Sequence, residues 1–154
     1  MSSMERTRSP HVKLQEFIDC FLESDYKKEL EEFSSPHLMR PTRENVPDEA
    51  LRYLAVVLLY AIAESAKDIS IVRKKPGEAV CRMTGKKFYD IPTPKEEVMV
   101  ALFEEIEEMA SMDRTKRSGK LIIGLKSDEI DLNISSMVTD LGEDKILIQL
   151  PPSA

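Results

Sequence analysis

Glu104, Glu105, Glu107 and Glu108 form the densest group of titratable side chains in this sequence. Carboxylates so close together could hold a cation or divide acid and base roles, but no histidine lies nearby to complete a metal site. The spacing instead suits the solvated face of an amphipathic helix. His11 and His37 have no cysteine or serine at motif spacing and read as surface residues. Cys20 and Cys81 lie in unrelated segments without a CxxC or metal spacing, so both are expected to be reduced, buried thiols. Neither Gly85-Lys86-Lys87 nor Gly119-Lys120-Leu121 completes a phosphate-binding loop, which excludes a P-loop ATPase. No catalytic residue, metal ligand or cofactor site is therefore expected.

Three other groups carry recognition chemistry. Arg114, Lys116, Arg117 and Lys120 make a basic segment suited to an anion or an acidic partner, or simply a solvated turn. Arg73, Lys74 and Lys75 with Arg82 form a second basic group open to the same two readings. Phe17, Phe21 and Leu22 make an apolar stripe that would dock on a partner or on the chain's own domain.

The elements that position these residues follow from periodicity. Residues 12–33 read as an amphipathic helix, with Ser24 as its place to break, and Pro36, Pro41 and Pro47 as an extended linker behind it. A helix from Pro47 to about residue 66 is apolar on nearly every side and must be covered by a sheet or another helix. Strands are expected at 68–73, 79–83 and 86–90, the first two joined by Lys74-Lys75-Pro76-Gly77. Thr93-Pro94-Lys95-Glu96 reads as a capped start of a helix running to 112. Further strands are expected at 121–126, 129–135 and 144–150, the last pair forming a hairpin around Leu141-Gly142-Glu143-Asp144. Leu58, Ile62, Leu102 and Ile106 should share one core.

The expected fold is thus α+β: an α-β-β-β-α-β-β-β domain with an antiparallel or mixed sheet packed on two helices, preceded by an amphipathic helical arm. Residues 1–11 are expected to be disordered, 12–46 to form the arm and linker, 47–150 the domain and 151–154 a tail. The arm is expected to be dispensable for folding. A net charge of −6 and a pI near 5.1 argue against a nucleic-acid binder. The longest apolar stretch is too short for a membrane span and the start of the chain lacks a secretory signal, so a cytoplasmic location is expected.

A longer pattern runs from residue 51 to 150. Ala66-Lys67-Asp68-Ile69-Ser70-Ile71, Arg82-Met83-Thr84-Gly85, Met112-Asp113, Ile130-Asp131-Leu132-Asn133-Ile134-Ser135, Val138-Thr139 and Gly142-Glu143 occur in an order and spacing that resembles one bacterial family. That family is the PAS-like domain preceding the RecA-like motor core in type II secretion and type IV pilus assembly ATPases. The resemblance implies a non-catalytic interaction or regulatory module, with a secretion or pilus ATPase as a possible protein partner. The alternatives are a stand-alone adaptor for an unrelated partner and, further off, a small nucleotide-binding enzyme. In the family, arginines at the positions of Asn133 and Gln149 help engage nucleotide or the motor core. Here an amide replaces each guanidinium, and the bidentate phosphate fork is lost.

Overall fold

The computed structural model describes residues 9–33, 46–74 and 78–151. The expected disorder before residue 9, most of the proline linker with His37, the Lys75-Pro76-Gly77 turn and the end of the tail lie outside them. Among the described residues four helices, α1 (Pro10–Phe21), α2 (Tyr26–Phe33), α3 (Val46–Ala63) and α4 (Glu96–Met109), accompany six strands. The strands are β1 (Asp68–Arg73), β2 (Ala79–Thr84), β3 (Phe88–Ile91), β4 (Ser118–Leu125), β5 (Asp128–Val138) and β6 (Asp144–Gln149). They form one sheet in the order β3-β2-β1-β6-β5-β4, and every pairing is antiparallel.

The domain is two meanders, β1-β2-β3 and β4-β5-β6, joined along β1 and β6, where Ile69 faces Ile148 and Ile71 faces Ile146. Alternation puts Ile69, Ile71, Cys81, Met83, Leu121, Ile123, Leu132, Ile134, Ile146 and Ile148 on one face, all nearly sealed from water. Helices α3 and α4 cover that face and pack on each other. Of the expected shared core, Leu58, Leu102 and Ile106 are fully buried, while Ile62 packs against the cluster half-buried.

The helical arm is not a free appendage. It breaks after Phe21 into α1 and α2, and Ser24 closes the bend by bonding back to the Phe21 carbonyl. Both pieces lie on α3, burying Leu14, Ile18, Leu30 and Phe33. Arg52 of α3 anchors this layer: its guanidinium lies 5.7 Å from the Phe21 ring centroid and 5.1 Å from that of Phe33. Lys13 reaches Asp48 at 3.1 Å. Expected dispensability for folding does not fit an arm that fills one side of the core.

Two helices end earlier than periodicity indicates. After α3, the amides of Ser65 and Ala66 bond the carbonyls of Ile62 and Ala61, with Ser65 at φ 55°. After α4, Ser111 and Met112 bond Glu108 and Glu107 in the same pattern, with Ser111 at φ 56°. Both are left-handed C-terminal wraps in which serine occupies the usual glycine position. The start of α4 also differs from expectation, for its N-cap is Lys95, without a side-chain cap bond, rather than Thr93. The carbonyl of Lys95 already accepts from the amides of Val98 and Met99, so the helix begins two residues later than a Thr93 cap requires.

Close packing fixes the strand that follows. A Cβ on Gly119 would lie 2.1 Å from the Ala110 carbonyl oxygen, so only glycine lets β4 start against the end of α4.

Two outcomes are expected. A chain beginning at Val46 should melt far below the full chain or aggregate, because burying each lost core side chain contributes about 1.5–3 kcal/mol; thermal unfolding followed by circular dichroism measures this. Ser111→Gly should raise stability by about 1 kcal/mol by relieving the left-handed backbone, read as a higher denaturant midpoint at unchanged slope.

Candidate protein-binding surface

A sheet with helices on one face leaves the other face open, and register shows what it presents. One row runs Phe88, Thr84, Asp68, Gln149, Asn133, Lys120 across all six strands. The next runs Asp90, Arg82, Ser70, Leu147, Ser135, Ser118. A third holds Val80, Val72, Lys145 and Met137. Val72, Val80, Leu147 and Met137 are half-buried, and no described helix covers them. The face is therefore largely polar at one end, apart from the exposed Phe88 at its corner, with an apolar strip at the other.

The two basic groups fare differently. Arg73 and Arg82 do not form one patch, because Arg82 pairs with Ser70 and Arg73 stands three residues further along β1, on the opposite face. Arg82 lies on the open face with its Nε 2.8 Å from Asp90. Arg73 turns under the sheet, 5.4 Å from the Phe103 ring centroid and 3.8 Å from Asp144. Lys74 donates its amide to the Glu78 carbonyl.

Arg114, Lys116, Arg117 and Lys120 are all exposed around the start of β4, an edge strand. Asp113 orders the loop that carries them. Its carboxylate accepts from the Thr115 hydroxyl at 2.7 Å and from the amides of Thr115 and Lys116 at 2.8 Å. These bonds, the hydroxyl first, hold its carboxyl below the ordinary aspartate range. Their contribution to loop order is thus present above the ordinary carboxylate pKa and lost as pH falls through the lowered one.

The other half of the same edge is closed by α1. The Gln15 amide makes a two-way bond with Gly124, accepting its N–H at 2.7 Å and donating to its carbonyl at 2.8 Å. The His11 imidazole Nε2 meets the Ile122 carbonyl. Gln15, His11, Val12 and Ile122 line a groove of about 600 Å³ at this junction. Nothing in the sequence marks Gln15 for this role, since its partner lies more than a hundred positions away and is a backbone group.

Phe17, Phe21 and Leu22 are half-buried against the core, and the stripe lies on the chain's own domain. The carboxylates of α4 also divide. Glu104 and Glu108 are exposed, whereas Glu105 is partly buried, and its pKa is raised by that burial and then by Glu108. Among the described residues, no group of three His, Cys, Asp or Glu side chains is arranged to hold a metal ion, and no helix is long and apolar enough to cross a membrane. Gln149 lines a second recess, of about 670 Å³, with Lys67, Asp68 and Lys86.

The cysteines correct the expectation that both are buried. Cys20 is exposed on α1, whereas Cys81 is sealed on the inner face, and burial pushes its thiol up to about 12. Cys81 is near Tyr53, whose hydroxyl donates to the Pro92 carbonyl at 2.7 Å. A thiol held protonated in an apolar layer is inert. No protein-family model matches the chain, and no curated protein matches it either.

In the native protein, a thiol reagent at neutral pH should label Cys20 rapidly and Cys81 only on unfolding; mass spectrometry of peptides after a timed pulse reads both sites.

Proposed function

We propose that this protein is a non-catalytic protein-binding module, related to the domain that precedes the motor in secretion and pilus assembly ATPases, and that it docks through the open face of its sheet. The observation that carries this reading is the half-exposed apolar group of Val72, Val80, Leu147 and Met137, with Lys145 set between Val72 and Met137 and Arg82 at its border. Apolar side chains grouped on a solvated face cost solubility unless another surface covers them.

A second feature supports the same face. Asn133 and Gln149, which stand where the resemblance puts arginines, are direct cross-strand neighbours there, beside Lys120 and Asp68. An amide pair can exchange hydrogen bonds with a protein surface but offers no charge to a phosphate. The favoured partner is a secretion or pilus ATPase or a related assembly protein. An adaptor for an unrelated partner would use the same apolar strip without the Asn133 and Gln149 positions.

A photo-crosslinking residue placed at Leu147 or Met137 should capture a hexameric secretion or pilus ATPase of the same host, whereas one at Glu104 on the helical side should not. Capture from Glu104 alone would overturn the docking face. Calorimetry with Mg-ATP should show no binding, and micromolar affinity with turnover would replace this reading with a nucleotide enzyme working at the Lys67 and Lys86 recess.

A further inference from the structure

We propose that the free half of the β4 edge binds an acidic, extended peptide segment of a partner as a seventh strand. This site is the backbone edge of the sheet; it shares Lys120 with the open face but does not depend on that face being a docking surface.

The backbone parity of β4 sets the site. Ser136 donates to the Arg117 carbonyl, so residues 117, 119, 121 and 123 direct their backbone groups toward β5. Ser118, Lys120, Ile122 and Gly124 direct theirs outward. Gln15 takes both groups of Gly124, and His11 takes the Ile122 carbonyl. What remains outward is the N–H and C=O of Ser118, the N–H and C=O of Lys120 and the N–H of Ile122, for which no described residue is a partner. That is a ladder about five residues long, bounded at one end by α1 and at the other by the basic loop.

Charge selects the occupant. Lys120 lies on the open face, while Arg117, just before β4 and level with Ser136, takes the opposite parity, so an added strand would have a cation beside each of its faces. Arg114 and Lys116 extend the positive field beyond its end, on a chain whose net charge is −6. Glu129 and Asp131 of β5 lie toward the α1 end, and Asp131 is level with Ile122. The positive part of the edge therefore stops near Ile122, where the free ladder stops. A second copy of β4 is disfavoured, because antiparallel self-pairing about Lys120 would set like charges opposite each other. Edge lysines commonly block pairing in this way. They block a copy of the same strand and leave an acidic one free to add, with main-chain bonds supplying affinity and the cations supplying specificity.

The site is also held in shape before any ligand arrives. The Asp113 bonds fix residues 113–116, and Gly119 is pressed against Ala110. Little ordering remains to be done on binding.

The test uses the full chain and a fluorescent peptide of about nine residues that alternates valine or threonine with glutamate. Fluorescence anisotropy should show saturable binding that weakens as salt is raised. N-methylation of alternate peptide amides should abolish it. Lys116→Glu with Lys120→Glu should weaken binding by about tenfold or more, in line with the loss of complementary charge. Compared with Lys120→Ala, which removes the charge alone, Lys120→Pro also removes an outward N–H, so it should leave the fold intact and weaken binding further than Lys120→Ala does. Circular dichroism controls for folding of each variant. Equal binding of the methylated and unmethylated peptides would show charge attraction without a strand and overturn the proposal. Absence of binding at millimolar peptide would also overturn it, as would sedimentation showing a dimer that Lys120→Glu dissociates.

Discussion

Everything in this fold depends on covering one helix. In α3, every residue from Tyr53 to Leu59 is buried, so the helix has no solvated side in its middle. A helix apolar all round cannot lie on a surface and must be enclosed. The sheet encloses it from below, α4 from beside it, and α1 with α2 from the remaining side. This demand explains why a segment whose charges and prolines look like an arm is drawn into the core. It also explains Arg52, the charged residue just before this stretch, whose Nη1 pairs with Glu49 and whose Nε is buried without a partner among the described residues while its guanidinium sits against Phe21 and Phe33. Rings compensate part of what water would have supplied.

Much of this was legible in the residues. The strands could be placed from alternation, as at Ile130 to Ser135, or from a short apolar run, as at Ile146 to Ile148; Asp68–Arg73 agrees end to end, and the others differ by a few residues. Helix ends were harder to read, because Ser65 and Ser111 take the left-handed position without the glycine that would announce it. Apparent grouping in sequence also misled where strand parity intervenes. Arg73 and Arg82 look like one basic group, yet pairing assigns them to opposite faces.

The candidate surfaces were legible only in part. The exposed basic loop could be found from its composition, but its anchoring by Asp113 required the positions of two amides and a hydroxyl. Half of the edge strand is closed by Gln15, and no local pattern encodes a contact between a side chain near one end of the chain and a backbone near the other. The apolar strip was hidden for a different reason. Val72, Val80, Leu147 and Met137 belong to four strands and become neighbours only through register.

The seam between β1 and β6 has a consequence for how the chain can assemble. Each meander needs only local turns, but Ile69 cannot meet Ile148 until nearly the whole domain has been synthesised. Until then α3 has at most half of its sheet beneath it, and its leucines face water or whatever else is at hand. Assembly should therefore be slow relative to helix formation and governed by one late, long-range closure. During translation the first half is a hydrophobic helix awaiting its floor, and a holding chaperone would find its natural substrate there.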